Sequence, residues 1–197
     1  MSDRFDLVLA SGSPRRHALL RDAGVQFRVV TPDIDETLAP TETPDRAVAR
    51  LAIEKARAVA AKVGASHPVL AADTVVALAD RILGKPRDST EAAEMLTALS
   101  GRTHTVWTGF ALLSGDPAHE HVESIRTEVT FRALSRADVA TYVAVGESLD
   151  KAGAYAAQGA GATLIASIEG SRTNVIGLPL ERVLPCLARA GVAVGGP

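Results

Sequence analysis

Short apolar runs alternate with longer segments of helical periodicity through most of the chain. Apolar runs bounded by turn signals predict buried strands, whereas apolar residues spaced three and four apart predict amphipathic helices. Strands are predicted at residues 7–10, 25–30, 69–78, 103–113, 120–131 and 164–168. Helices are predicted at residues 14–20, 43–63, 89–99, 135–145 and 178–190, and turns or loops at 11–13, 80–83, 114–117 and 153–161. This alternation predicts a mixed α/β protein with both hairpin and crossover connections.

Composition narrows the class of protein. The chain has 197 residues, 47% of them hydrophobic, which suits one large domain or two closely associated lobes. A formal net charge of −2 provides no basic field for a nucleic-acid polymer. The single cysteine, Cys186, excludes an intramolecular disulfide and suits a reducing compartment. Because neither a signal-peptide pattern nor a membrane-length apolar run is present, we expect a cytoplasmic protein without a membrane partner.

The first predicted strand leads into a turn and a helix start that carry two arginines. Ser13 suits the N-cap position, and Pro14 suits the first helical position. Arg15 and Arg16 then lie on the first turn, where the helix dipole makes each cation unfavourable by roughly 0.3–1 kcal/mol. A bound anion would offset this cost, and a planar guanidinium matches the oxygens of a phosphate. The pattern is equally consistent with a solvated pair of surface arginines.

Carboxylates mark two further positions. Asp73 interrupts the apolar run 69–77, so its carboxylate needs a partner or must stay protonated. A strand-end aspartate bonded to backbone, a metal ligand and a general base are all consistent with this placement, and Thr74 beside it supplies a hydroxyl donor. Three carboxylates lie within residues 33–36, which suits either a solvated acidic loop or a cation site. Glu36 and Asp73 together could hold one Mg²⁺ or Mn²⁺ ion.

Two lysines and one glutamine complete the candidate chemistry. Lys85 is fixed just ahead of Pro86 in a short extended loop. Lys55 lies on the long second helix, and taken alone it is best interpreted as a surface lysine. The loop at 151–161 is too apolar and glycine-rich to be a simple linker. Gln158 in this loop offers both a donor and an acceptor, which suits the edge of a planar heterocycle.

Common phosphate-binding and hydrolase motifs are missing from the sequence. It contains no glycine-rich loop ending in Gly-Lys-Ser/Thr and no Gly-x-Gly-x-x-Gly after a strand. It also contains no His-Glu-x-x-His pair and no Gly-x-Ser-x-Gly elbow. The sequence therefore offers no standard phosphate-binding or hydrolase motif of these kinds.

Six short motifs occur in a fixed order along nearly the whole chain. They are ASGSPRR (10–16), ADT (72–74), GKP (84–86), LSGRTH (99–104), DKAGAY (150–155) and NVIGLPL (174–180). In this set the chain resembles the Maf family of nucleoside triphosphate pyrophosphatases. The resemblance implies a single Maf-like domain over residues 1–197. It also implies an α/β fold with a mixed sheet in two lobes around a central cleft, similar to the inosine-triphosphate pyrophosphatases.

The resemblance also implies roles for individual residues. Asp73 matches the proton acceptor of the family. The positions that match its specificity residues are Arg15, Thr74 and Gln158. The positions that match other polar residues of the site are Arg16, Glu36, Lys55 and Lys85. Ser11 is a further candidate for binding the substrate. A glutamine at position 158 resembles the branch that acts on dTTP and UTP, whereas the sister branch has glutamate there and prefers a methylated guanine nucleotide.

The expected reaction is cleavage between the α- and β-phosphates of a nucleoside triphosphate with a divalent metal, Mg²⁺ or Mn²⁺. Arg15, Arg16 and the helix start would hold the triphosphate, and Lys85, with Lys55, would neutralise the pyrophosphate leaving group. Glu36 and Asp73 would hold the metal, or Asp73 would deprotonate the attacking water; the sequence leaves both open. The expected partners are the nucleotide and a second copy of the chain in a homodimer. The alternative function is a nucleotide-sensing regulator of cell division and septum formation without turnover.

Overall fold

The computed structural model describes residues 6–39, 41–64, 66–115 and 119–195. The strands are β1 (Leu7–Ala10), β2 (Phe27–Val29), β3 (Val69–Leu78), β4 (Arg81–Leu83), β5 (Thr103–Ser114), β6 (His119–Phe131) and β7 (Ile165–Glu169). The helices are α1 (Pro14–Asp22), α2 (Pro44–Val63), α3 (Ser89–Leu99), α4 (Arg136–Ala144), α5 (Arg172–Ile176) and α6 (Leu180–Arg189). The predicted mixed α/β fold is therefore confirmed.

Four segments differ from the prediction. Residues 81–83, expected in a turn, form β4, which pairs with β3 in the register Ala77↔Ile82. The expected loop at 153–161 contains parts of two short 3-10 helices, Ala152–Ala154 and Gly159–Leu164. Helix α5 was not predicted, and β2 is shorter than expected. All these elements span at most six residues, which is too short for apolar periodicity to identify them.

The strands form one mixed sheet in the order β2-β1-β3-β5-β6-β7, with β4 paired to β3. Strand β1 is parallel to both of its neighbours, with Leu7 opposite Phe27 and Val8 opposite Val69. All four residues of β1 are buried, as expected for a strand in a parallel arrangement covered on both faces. Strands β6 and β7 are antiparallel.

The described residues divide into two compact units. The first unit lies within residues 1–73, 108–125 and 177–197, and the second within residues 74–107 and 126–176. The core of the first unit joins β1 and β3 to α2 through small residues such as Ala52 and Ala56. A core cluster of the second unit includes Leu96, Phe131 and Tyr155. The predicted single domain over residues 1–197 and its central cleft stay predictions.

Helix α2 packs tightly in the first unit. Thr43 is its N-cap and Pro44 its first residue, as the sequence predicted, and Gly64 ends it with a φ of 77°. A Cβ atom at Gly109 of β5 would lie 2.3 Å from the carbonyl oxygen of Val48, so only glycine allows this approach. The close packing turns one face of α2 firmly into the core. Among the described residues, no helix combines the length and apolar character needed to cross a membrane.

Candidate active site

The parallel strands of the first unit set the place of the candidate site. Helix α1 connects β1 to β2, which lies on one side of β1 in the sheet. Helix α2 then connects β2 to β3, which lies on the other side of β1. Ligands of open α/β sheets bind at such a reversal, beyond the carboxyl ends of the strands. Ser11 follows β1 directly, and Glu36 lies in the segment after β2. Since Ala10 pairs with Ala71, Asp73 on β3 lies just beyond the end of β1.

Lys55 is buried at this edge. The buried positions of α2 include Val48, Leu51, Lys55 and Val59, which are three and four residues apart and form one face. The lysine is only 5% exposed, and its Nζ donates to Asp73 Oδ1 at 2.6 Å. The interpretation of Lys55 as a surface lysine is therefore wrong, because its place on the apolar face of α2 directs it inward.

Lys55 holds two carboxylates at once. Its Nζ also lies 3.0 Å from Glu36 Oε2, while the Glu36 side chain remains about half exposed at 52%. Asp73 is 8% exposed, and Lys55 is the partner that the buried carboxylate requires. Of the alternatives open for Asp73, a strand-end aspartate bonded only to backbone is thereby excluded. A buried pair of this kind costs about 3–5 kcal/mol when one partner is removed.

The turn after β1 is organised around Ser11. The Ser11 Oγ accepts the backbone N–H of Ser13 and the Nη1 of Arg16, both at 3.2 Å. The Nε of Arg16 donates to the carbonyl oxygen of Gly177 at 2.8 Å. The Nε2 of His17 lies 2.8 Å from the Ser11 carbonyl oxygen. Because a carbonyl oxygen can only accept, His17 Nε2 carries the hydrogen.

Helix α1 begins as the sequence predicted. Ser13 occupies the N-cap and Pro14 the first turn, although the Ser13 side chain makes no capping hydrogen bond. The first turn contains no acidic residue, so Arg15 and Arg16 meet the positive end of the helix without a carboxylate from that turn. The helix start thus combines backbone N–H groups with two guanidinium groups, an arrangement suited to an anion.

Electrostatic interactions link Arg16, at the Ser11 turn, to the two carboxylates that Lys55 contacts. Burial is the main cause that lowers the pKa of the Arg16 guanidinium, and the charge of Arg15 lowers it further. The carboxylates of Asp73 and Glu36 act in the opposite direction and favour the charged form of Arg16. The structure therefore brings together five of the sequence-predicted residues in the first unit, namely Ser11, Arg16, Glu36, Lys55 and Asp73.

A divalent cation is compatible with this donor set. Carboxylate oxygens are the ligands that Mg²⁺ prefers, and protein sites for nucleotide-bound Mg²⁺ use one or two carboxylates together with phosphate oxygens and waters. Glu36 and Asp73 fit that pattern, since one ammonium group contacts both carboxylates. Among the described residues, no three His, Cys, Asp or Glu side chains form a group that could hold a metal alone.

The remaining candidate residues belong to the second unit. Thr74 follows Asp73 on β3 and is half-buried. Lys85 is exposed and lies outside helices and strands, ahead of the buried Pro86. Gln158 is exposed at the N-cap of the 3-10 helix that begins at Gly159, and its side chain makes no capping bond.

Sequence reasoning did not identify two contributors to the Ser11 turn. His17 carries a local signal, since a helix residue six positions after Ser11 can reach back to the turn. Gly177 carries none, because 161 positions separate it from Arg16. The φ of 123° at Gly177 belongs to the region that favours glycine, and a lone glycine in the motif NVIGLPL gives no indication of this contact.

Comparison with known proteins identifies the family. The model of the family described as Maf-like protein matches residues 6–190. The chain belongs to the Maf family. A relative named dTTP/UTP pyrophosphatase from Myxococcus xanthus (strain DK1622) is 53% identical over 194 residues, covering 97% of this chain and 95% of the relative. A Maf relative of the same name from Moorella thermoacetica (strain ATCC 39073 / JCM 9320) is 50% identical over 190 residues, covering 96% and 97%.

Solved structures show a more distant likeness. A nucleoside-triphosphatase, or dITP/XTP pyrophosphatase, from Mycobacterium abscessus is 17% identical with a TM-score of 0.45, covering 93% of this Maf chain and 96% of that one. The Ham1 protein of Staphylococcus aureus is 16% identical with a TM-score of 0.41, covering 64% and 71%. The predicted membership of the Maf family rests on the family model and the close relatives.

Proposed function

We propose that this Maf protein is a nucleoside triphosphate pyrophosphatase that hydrolyses dTTP and UTP to the monophosphate and pyrophosphate. The observation that carries the proposal is the buried Lys55, which joins Asp73 and Glu36 at the carboxyl edge of the parallel strands. Relatives that are 53% and 50% identical over nearly their full length are named dTTP/UTP pyrophosphatases. These names favour hydrolysis over the alternative of a nucleotide sensor in cell division.

Asp73 is the proposed general base. In α–β cleavage a water attacks the α-phosphorus, the bond to the bridging oxygen breaks, and pyrophosphate leaves with the electron pair. Asp73 takes the proton from the attacking water, which is a typical task of a positioned carboxylate. Lys55 fixes the orientation of that carboxylate through its 2.6 Å contact with Oδ1. The buried ion pair therefore orients the group that must act on the water.

The phosphates are bound by donors of the helix start. Arg15 and the first N–H groups of α1 supply positive charge, and Ser11 supplies a hydroxyl. In the second unit, Lys85 is proposed to neutralise the charge that develops on the pyrophosphate leaving group. Thr74 and Gln158 are proposed to set specificity, with the amide of Gln158 meeting the N3–H and the adjacent carbonyl of uracil or thymine.

A divalent metal is proposed as the cofactor. Glu36 and Asp73 would hold it, and their oxygen donors suit Mg²⁺ or Mn²⁺. A bound ion would offset the negative charge of the triphosphate. We also propose that the protein acts in the cytoplasm and as a homodimer, and we expect neither a nucleic-acid polymer nor a membrane as a partner.

A pyrophosphate-release assay across dTTP, UTP, CTP and GTP, with Mg²⁺ or Mn²⁺ and with a chelator, tests this function. We expect release from dTTP and UTP that depends on the added metal. Binding of these nucleotides without any release would instead support the nucleotide sensor. Stoichiometric inorganic phosphate in place of pyrophosphate would contradict cleavage between the α- and β-phosphates.

A further inference from the structure

We propose that Arg16 acts on the phosphates only through Ser11, as a positioning residue that fixes the Ser11 hydroxyl as a hydrogen-bond donor. This inference rests on the proposed function, because it assumes that phosphates bind at the start of α1. It separates two adjacent arginines that the sequence alone treats alike. Arg15 is then the guanidinium that binds phosphate, and Arg16 orients the turn that binds it.

The hydrogen bonds at Ser11 determine which way its hydroxyl points. A serine Oγ has two acceptor sites and one hydrogen to donate. Both acceptor sites are occupied by obligatory donors, since the backbone N–H of Ser13 and the Nη1 of Arg16 cannot accept. The hydroxyl hydrogen is left to point in a third direction. An acceptor-only ligand such as a phosphate oxygen is the chemistry that this donor fits.

The guanidinium of Arg16 spans two parts of the first unit. Its Nη1 reaches Ser11 Oγ while its Nε reaches the Gly177 carbonyl oxygen. Arginine can make both bonds in one plane because its donors form a rigid fork, whereas a lysine has a single nitrogen. Gly177 adopts a φ of 123°, a backbone conformation that favours glycine. Arg16 is therefore anchored on the Gly177 side and holds Ser11 on the other.

The Ser11 backbone is held as well as its side chain. His17 Nε2 donates to the Ser11 carbonyl oxygen at 2.8 Å, and Ser11 itself is only 4% exposed. With carbonyl and hydroxyl both bonded, the residue has little freedom to rotate its Oγ away. Such fixed donors are effective because no reorganisation is needed when charge develops on the ligand.

A double-mutant cycle tests whether Arg16 acts through Ser11. The variants are Ser11→Ala, Arg16→Gln and the double variant, each measured for kcat and KM with dTTP. Either single change should lower kcat/KM by about 10²-fold, the usual effect of losing one fixed donor. The kcat/KM of the double variant should lie within about 3-fold of that of the less active single variant, because the second change removes no further interaction. Ser11→Ala and Arg16→Gln should also divide their loss of kcat/KM between KM and kcat in the same way.

The matched control is the neighbouring arginine. Arg15→Gln combined with Ser11→Ala should show nearly multiplicative losses, since each residue contributes its own contact. Arg16→Lys adds a second test, because it keeps the charge but loses the fork. We expect Arg16→Lys to lose about as much activity as Arg16→Gln. Retention of activity by Arg16→Lys, or multiplicative losses for Arg16 and Ser11, would overturn the inference.

Binding of inorganic pyrophosphate separates this inference from the proposed function. Calorimetric titration of each variant with pyrophosphate should show the same non-additivity, whether or not the wild type hydrolyses dTTP. If the wild type binds pyrophosphate but does not hydrolyse dTTP, the proposed function is wrong. The double-mutant cycle, measured by pyrophosphate binding, then still tests the role of Arg16. A wild type that does not bind pyrophosphate at all overturns the inference itself. Circular dichroism of every variant excludes loss of fold as the cause.

Discussion

The first unit buries charged side chains beyond the ends of its parallel strands, whereas the second unit buries neutral polar side chains within its core. In the first unit, Lys55 and Asp73 are 5% and 8% exposed and form an ion pair. The strongly buried polar residues of the second unit are His104, Thr127, Ser148 and Asn174. Burial lowers the pKa of His104 to about 4, so this side chain is neutral at pH 7.

Three of these four neutral residues hydrogen-bond within the protein, whereas the Ser148 Oγ has no hydrogen-bond partner among the described residues. Asn174 Nδ2 donates to the Val106 carbonyl oxygen at 3.1 Å and to Thr127 Oγ1 at 2.9 Å. His104 Nε2 and the Tyr155 hydroxyl are 2.8 Å apart. Such pairs satisfy buried polar atoms at modest cost, whereas two buried charges pay a large desolvation penalty. The buried ion pair of the first unit is therefore the more costly arrangement, which favours the proposed placing of the general base there.

The largest expected effect is the loss of turnover in Asp73→Asn. Asparagine keeps the shape of the side chain but can neither accept the proton of the attacking water nor serve as a good ligand for a hard cation. We expect kcat with dTTP to fall by at least about 10³-fold while the protein stays folded. Steady-state kinetics and circular dichroism check this outcome.

The same chemical change in the second unit is the control for Asp73. Asp138 is also an ion-paired aspartate, bonded to Arg132, but it belongs to the capping box of α4. Asp138→Asn should leave kcat unchanged within about 3-fold and cost about 0.5–2 kcal/mol of stability as a weakened cap. Near-normal turnover by a folded Asp73→Asn variant would remove the catalytic assignment and with it the contrast between the units.

The second prediction concerns cations placed for phosphate rather than for packing. Arg15→Ala in the first unit and Lys85→Ala in the second should each lower kcat/KM for dTTP by about 10²–10³-fold. Thermal unfolding should change little, since Lys85 is exposed and neither residue belongs to a hydrophobic core. Kinetics and a melting curve on each variant test this pair.

Two surface arginines provide controls for these cations. Arg57 pairs with Glu120 in the first unit, and Arg87 pairs with Glu91 two residues after Lys85. Arg57→Ala and Arg87→Ala should leave kcat/KM unaltered, because exposed pairs contribute little. If Arg15→Ala and Lys85→Ala unfolded instead of losing activity, these residues would be structural, and the phosphate assignment would fail.

Local signals in the sequence predicted much of the fold. Ser13 and Pro14 mark the start of α1, and Asp88 caps α3 by accepting the Glu91 N–H, because caps act over three residues. The burial of Lys55 could also have been predicted, because position 55 lies on the apolar face of α2. It was missed because a lysine in isolation suggests a surface.

Other features depend on contacts that no local pattern contains. The hydrogen bond from Arg16 to Gly177 joins residues 161 positions apart, and the sequence around neither residue indicates the contact. The pairing of β4 with β3 rests on a turn with a φ of 51° at Ala79, a conformation unusual for alanine. The sequence thus predicts which residues carry charge and which residues cap a helix. It does not predict which distant backbone group completes a turn.

The third prediction tests the second unit as the part that recognises the base. Gln158→Glu should lower kcat/KM for dTTP and UTP and raise that for GTP relative to them by about 10–10²-fold. A carboxylate can only accept, so it suits the adjacent donors of guanine and not the mixed edge of thymine. The other glutamine, the exposed Gln26 of the first unit, is the control, and Gln26→Glu should keep the wild-type ranking. An unchanged ranking in Gln158→Glu would mean that another residue recognises the base.

The smallest effect concerns stability against pH. His104 lies in a cluster of rings, with centroid distances of 5.0 Å to Phe131 and 5.4 Å to Tyr155 at nearly perpendicular angles. Its pKa is lowered from 6.5 to about 4 because burial disfavours the imidazolium. The unfolded chain therefore binds a proton at His104 below about pH 6.5 while the folded chain does not until about pH 4.

The contribution of neutral His104 to stability is consequently complete above pH 6.5 and is lost as the pH falls towards 4. Between pH 7 and pH 5 we expect the free energy of unfolding to drop by about 2 kcal/mol through this residue. Urea unfolding at both pH values measures the drop. His104→Gln and His104→Phe cannot titrate, so both should lose this part of the pH dependence even if they are less stable at pH 7. An equal drop in wild type and variants would show that His104 takes up its proton over the same pH range in the folded and the unfolded chain, and that burial does not lower its pKa.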